Sequence, residues 1–139
     1  MDELTRFGVS LPAQLIKAFD ESIERKGYRT RSEAIRDMMR DYLVEKEWEN
    51  NAGEVVGTVT IVYDHHTREL SSVLNNLQHD HHDEIICTTH VHMDHDNCLE
   101  VIVVKGTSER VMAIADQLIS TRGVKHGKLV CTTTGEGLK

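Results

Sequence analysis

No stretch of this 139-residue sequence is apolar for long enough to cross a bilayer. Its first ten residues, MDELTRFGVS, lack both the basic start and the apolar centre of a secretory signal. The expectation is therefore a cytoplasmic protein with no membrane partner. Cysteine is sparse. Cys87, Cys98 and Cys131 are the only three, too few for a disulfide framework and consistent with a reducing compartment. Basic residues are in deficit as well: 16 Lys and Arg against 23 Asp and Glu leave a net charge of −7. That balance speaks against bulk, non-specific nucleic-acid binding, but leaves room for a small basic surface that reads DNA. The length suits one ordinary domain or two very small ones. Two small ones would bury little surface each and would favour oligomerisation.

What is abundant is histidine, and it is concentrated. Gln78 to Glu100, QHDHHDEIICTTHVHMDHDNCLE, holds six of the nine histidines and two of the three cysteines. The β-branched run from Ile85 to Met93 predicts a strand, on which His90 and His92 share a face because side chains alternate. Met93-Asp94-His95-Asp96-Asn97 predicts a turn, since Asp and Asn bond their own backbone. Cys98 onward predicts the partner strand of a hairpin, which sets the Cys98 sulfur across from the imidazoles. Any one of these residues alone would more often be a solvated histidine or a small buried hydrophobe. Together, two imidazoles and a thiol on one face form a transition-metal set. Leu99, Val101 and Val103 alternate with Cys98, Glu100 and Ile102, and the mostly aliphatic set is the natural core side. The ligands are thus expected on the sheet's other face. A fourth position is left for water, a local side chain or a second subunit, and His79 is the best-placed candidate, with His81 and His82 behind it. Glu100 and Gln78 are expected to orient the imidazoles from behind.

The N-terminal part has a different pattern. Residues 4–10 alternate as a short strand, with Phe7 and Val9 on one side and Arg6, Gly8 and Ser10 on the other. Pro12, the single proline, suits a first helical turn. A helix over 12–26 carries Leu15, Ile16, Phe19 and Ile23 on one stripe and closes at Gly27. Thr30-Arg31-Ser32-Glu33 is a capping box. The helix it opens has Ala34, Ile35, Met38, Met39, Tyr42 and Leu43 at helical spacing, a stripe more typical of core than of a site. One strand cannot form a sheet, so this strand–helix–helix unit is expected to pair with another copy.

RFGVSLP followed by an amphipathic helix and GYRTRSEAIRDMMRDYL resembles the ribbon-helix-helix DNA-binding proteins. The resemblance implies a dimer whose ribbon enters the major groove, with Arg6, Gly8 and Ser10 outward. Arg6 suits guanine and Ser10 a polar contact, while Gly8 departs from the usual polar readers. Arg31 and Arg36 are the expected phosphate contacts at the second helix.

Glu45 to Gly53, EKEWENNAG, is polar and ends in turn residues. The domains are expected as 1–48 and 54–139, with a hinge at 49–53. After it comes a strand over 55–63, then a helix over about 68–78 with Thr67 as N-cap. The hairpin follows, then a helix after Gly106 that ends at Gly123, and a last strand over 125–133. This β-α-β-β-α-β order predicts an α+β, ferredoxin-like domain with two helices on one sheet face and the other face bare. A bare apolar-and-histidine face would invite a symmetric partner.

Across nearly the whole chain, RSEAIRD, QHDHHD, HVHMDHDNCLE and RGVKHGKL resemble the nickel-responsive transcriptional regulators of the NikR family. That resemblance implies a cytoplasmic homotetramer, with two outer DNA-binding dimers around a central ACT-like tetramer core. It implies Ni(2+) held in a square plane by His90, His92 and Cys98 of one subunit and His79 of its neighbour. Nitrogen–sulfur ligation of that kind independently suits Ni(II) or Cu(II) better than zinc. It also implies repression of nickel-uptake genes from a palindromic operator on double-stranded DNA. The family's second site, for K+ or another cation, would fall on Glu33 and Asp37, one helical turn apart. Three rivals compete: a metallochaperone or store, which has no use for the N-terminal module; an ACT-type small-molecule sensor, which leaves the histidines unexplained; and an enzyme with a metal-activated water, which four protein ligands would exclude.

Overall fold

The computed structural model describes residues 2–51 and 53–139; Ala52, inside the expected hinge, lies outside them. The chain forms two units, one of residues 1–43 with 137–139 and one of residues 44–136.

In the first unit, no regular element is assigned to residues 2–12, and all of them are exposed. The expected strand over 4–10 has no ladder within a single chain, because strand hydrogen bonds need a partner strand. Helix α1 (Ala13–Arg25) begins after Pro12. It ends with Tyr28 N–H donating to the Ile23 carbonyl and Gly27 N–H to that of Glu24. This paired closure needs a left-handed residue, and Gly27 supplies it at φ 91°. Helix α2 (Arg31–Asn50) opens as the capping box predicts: Glu33 N–H donates to Thr30 Oγ1 at 3.2 Å. The Glu33 carboxylate reaches one residue further back than expected, to Arg29 N–H at 3.2 Å.

The polar stretch from Glu45 continues α2 as helix to Asn50, and the division between units falls inside that helix, after Leu43. The reason is Trp48. Its ring packs against the core of the second unit, and its indole N–H donates to the Thr132 carbonyl at 2.8 Å. Ser108 Oγ donates to the Trp48 carbonyl at 2.7 Å, satisfying a helix-end acceptor.

The second unit carries the expected order β1 (Val55–Asp64), α3 (Leu70–Asp80), β2 (Ile85–His92), β3 (Asn97–Gly106), α4 (Ser108–Ser120), β4 (Val124–Thr132). The sheet runs β2-β3-β1-β4 with every neighbouring pair antiparallel. This is the split β-α-β arrangement of ferredoxin-like folds, and the fold class is α+β as expected. Thr107 caps α4, its side chain accepting from Arg110 N–H. Thr67 is not the cap of α3. Residues 65–69 form turns instead, and the N-cap is Glu69 in a left-handed conformation at φ 66° with no side-chain cap bond.

One core forms, from alternate residues of β1 and β3 against the inner sides of α3 and α4. Val59, Ile61 and Tyr63 meet Leu74, Ile114 and Leu118, all essentially inaccessible to water. Helix α4 lies so close to the sheet that a Cβ on Gly127 would stand 2.6 Å from Ile119 Cγ1, which only glycine avoids.

The face assignment reverses the expectation. Cys98, Glu100 and Ile102 point towards the helices and are buried, while Leu99, Val101 and Val103 lie on the helix-free face, half-buried. Register accounts for it: Tyr63 pairs with Cys98, Ile61 with Glu100 and Val59 with Ile102, and those β1 residues belong to the core. A bulge at Ile86 adds a second departure. Ile85 pairs with Val104 on the core side, whereas Cys87 pairs with Val103 on the other.

Candidate metal centre

The site grows from the end of the β2–β3 hairpin nearest its turn, where His92 pairs with Cys98 and His90 with Glu100. Asp94 holds that turn. Its carboxylate accepts from the backbone N–H groups of Asp96 and Asn97 and from the Asn97 side chain, and these bonds depress its pKa to about 2.

Cys98 is fully buried. Burial pushes its thiol pKa up, and the charges of Glu100, Asp64 and Asp94 push the same way. A thiolate there needs a cation beside it. Two imidazoles stand ready at the sulfur: His92 Nδ1 at 3.5 Å and His65 Nδ1 at 3.4 Å. The ligand atoms of His65, His92 and Cys98 all lie within 4.8 Å of one another.

His90 faces the same side but is held otherwise. Its Nδ1 lies 3.1 Å from Glu100 Oε1 and 3.3 Å from the Tyr63 hydroxyl. A carboxylate at Nδ1 assigns the proton to that nitrogen and leaves Nε2 with a free lone pair, the arrangement a metal-ligating histidine uses. The His90 and His92 ring centroids are 4.9 Å apart. Glu100, 5% exposed, is fully engaged: the Tyr63 hydroxyl donates to Oε1 at 3.1 Å and Gln78 Nε2 donates to Oε2 at 3.0 Å. Thr88 in turn donates to Gln78 Oε1 at 2.7 Å, so the amide is fixed at both ends. Burial and the Glu100 charge together raise the Tyr63 pKa, keeping the phenol a hydrogen-bond donor.

Thus Glu100 holds His90, and Gln78 holds Glu100 in turn. His79, the next residue on α3, is exposed and stacks on His82 with ring centroids 6.1 Å apart; it does not join the group around Cys98. Two participants were missed from the sequence. Tyr63 could have been found from its place on the strand paired with β3. His65 could not, because it enters through the turn after β1.

Arg6, Gly8 and Ser10 are exposed, with nothing within 4 Å of where a Gly8 Cβ would stand. Arg36 is exposed, while Arg31 is clamped to both Asp20 oxygens at 2.8 and 2.7 Å. Glu33 and Asp37 are already engaged, Glu33 by Arg29 N–H and Asp37 by the Tyr28 hydroxyl at 2.7 Å. Neither belongs to a three-ligand group among the described residues.

Residues 56–132 match the NikR C-terminal nickel-binding domain, and residues 5–46 match the ribbon-helix-helix proteins of the copG family. The chain belongs to the NikR family. It is 58% identical over 136 residues to a Thermococcus onnurineus protein named as a nickel-responsive regulator, covering 98% of this chain and 99% of that one. A Geobacter sp. (strain M21) relative of the same description is 59% identical, with 99% of each chain covered. A Pyrococcus horikoshii relative is 54% identical over 98% of this chain and 99% of its own. Among solved structures, an uncharacterized Thermotoga maritima protein matches 56% of this chain and 96% of its own, with TM-score 0.50 and 19% identity; that likeness concerns fold alone. As a NikR family member, the chain joins a nickel-binding domain to a DNA-binding module. No helix among its described residues is long and apolar enough to cross a membrane.

Proposed function

We propose that this chain binds a palindromic operator in double-stranded DNA when loaded with Ni(II), and so represses nickel-uptake genes in the cytoplasm. It does so as a homotetramer, and it is not an enzyme. The observation that carries the reading is the buried Cys98 thiol with imidazoles against it, in a chain that also has a ribbon-helix-helix module. A storage protein or a metallochaperone has no use for that module.

His90, Nε2 freed by Glu100, His92 and Cys98 would hold the ion from one subunit, and His79 of a second copy would complete the set. Bound Ni(II) supplies an electrophilic centre that favours mixed imidazole and thiolate donors. The exposure of His79 at the end of α3 suits a contribution across an interface. The helix-free sheet face, with Leu99, Val101 and Val103 half-buried, offers the apolar surface on which subunits would associate.

Gln78 suggests how the site is coupled to DNA. It precedes His79 on α3 and donates to the carboxylate that holds His90, so a ligand pinning His79 also bears on the His90 strand. Ordering α3 in every subunit would reduce the cost of placing two DNA-binding dimers on two half-sites, a coupling between distinct sites. On the DNA side Arg6 reads a base, Ser10 and Gly8 line the ribbon, and Arg36 meets phosphate. Arg31 would exchange Asp20 for phosphate, which costs little because water already screens an exposed ion pair.

The test is selection of bound DNA from a random pool with and without Ni(II), followed by titration of variants on the selected site. A sulfur-to-metal charge-transfer band should appear at one metal per chain and vanish in Cys98→Ala along with the metal-dependent gain in affinity. Arg6→Ala should lose about 1–3 kcal/mol of specific binding while keeping the band. Metal-independent selection of one site would overturn the reading.

A further inference from the structure

The chain passes between the two units twice. Helix α2 crosses after Leu43, and the chain returns after Glu136, so that residues 137–139 belong to the first unit. The outward crossing is an unbroken helix with few anchors of its own. Ala34 is its only buried residue and Trp48 packs against the core of the second unit, while Met38, Met39, Tyr42 and Leu43 between them are exposed. A helical stretch held by little besides its own backbone bonds opens locally with ease.

The returning segment is fixed to α2 on both sides of that crossing. In the second unit, Thr133 Oγ1 donates to Glu47 Oε2 at 3.1 Å, beside the bond from the Trp48 indole to the Thr132 carbonyl. In the first unit, Arg40 Nε donates to the Lys139 carbonyl at 2.8 Å. Arg40, Val44 and Glu47 follow one another at single helical turns and share a stripe of α2. From Glu47 to Arg40 the helix rises only about 10 Å. Residues 133–139, fully extended, would span about 20 Å. The excess is taken up in turns: Gly135 N–H donates to Thr133 Oγ1 and Glu136 N–H to Thr134 Oγ1, each at 3.2 Å. Gly135 and Gly137 stand at φ 85° and 78°, a conformation open to glycine without strain.

We propose that residues 133–139 form a clasp on α2, pinned at Glu47 and at Arg40, which limits bending of the helix where it passes from one unit to the other. Either pin is a single hydrogen bond, and the turns hold spare length, so the clasp can open without pulling on β4. While closed, it narrows the range of arrangements in which the DNA-binding unit is presented. Order imposed before binding is not imposed at binding, so the metal-loaded protein meets its operator at lower entropic cost. That consequence rests on the operator reading above; the clasp itself does not.

Amide exchange of the metal-free, full-length protein reads the clasp without DNA or Ni(II). Arg40→Ala should speed exchange at residues 43–47 by about tenfold and leave β1 and α4 unchanged. Ending the chain after Thr133 keeps the bonds at Glu47 and Trp48 and should have the same effect. Arg40→Ala should then add nothing further, because the two changes remove one contact. Unchanged exchange in Arg40→Ala, or an equal effect of that substitution with and without the tail, would overturn the clasp. With Ni(II), the shortened protein should reach the same charge-transfer band and bind the selected DNA site about three- to tenfold more weakly. Equal or tighter binding would overturn the pre-organising role. If the unaltered protein selected no DNA site, the operator reading would fall, while exchange would still decide the clasp.

Discussion

The two units solve the burial problem differently. In the second, Leu118, Leu74 and Ile61 are closed off from water within one chain. In the first, Ala34 is the only buried residue of either helix, while Leu15 remains 56% exposed and Met38 57%. Those side chains line an open apolar cavity of about 650 Å³ together with Phe19, Ile35 and Tyr42. Both units have amphipathic helices, so patterning is not what separates them. The difference is that a sheet gives α3 and α4 a surface to cover, and two helices without one can only cover each other in part. In the proposed assembly the first unit is half of a structure. A second copy would supply both the ladder for residues 4–10 and the far wall of that cavity.

Equivalent truncations should break this comparison most sharply. Leu118→Ala should cost about 2–5 kcal/mol of unfolding free energy, the usual price of a buried leucine, and the loss should not depend on protein concentration. Leu15→Ala should show its cost mainly through a concentration-dependent midpoint, because in the proposed assembly the contact it loses is with another chain. Denaturant melts of both variants at several concentrations check this; a concentration-independent loss at Leu15 would make the first unit self-sufficient.

A smaller effect is expected on the helix-free sheet face. Val101→Asp places a charge among half-buried aliphatic residues that have no helix above them. It should leave the fold intact by circular dichroism and weaken self-association by about tenfold or more, roughly 1.4 kcal/mol. Sedimentation velocity measures it, and unchanged assembly would remove that face as the interface.

The smallest concerns the Asp20–Arg31 pair between α1 and α2. The hydrogen bond and charge of Arg31 hold the Asp20 pKa below its usual 3.8. A depressed carboxylate stabilises the fold above its unfolded pKa, and that contribution is lost as pH falls through the lower, folded value. An NMR titration of the Asp20 carboxyl should show a midpoint below 3.8 that returns to the ordinary range in Arg31→Ala.

Much of the site was legible in the chain. Strand alternation is local, so the sequence by itself puts His90 and His92 on one face and Cys98, Glu100 and Ile102 together on their strand. The capping box at Thr30, the closure at Gly27 and the β-α-β-β-α-β order follow from equally local chemistry. Membership of one set says nothing about which set meets the helices, because Leu99-Val101-Val103 is as aliphatic as any core face. Only tertiary structure decides that, through the pairing of β3 with the Val59-Ile61-Tyr63 side of β1. The same register puts Tyr63 opposite Cys98 and, two residues later, brings His65 to the sulfur. The bulge at Ile86 and the run of α2 through polar residues to Trp48 belong to the same class. Each depends on a partner distant in sequence, and period and propensity carry no information about distant partners.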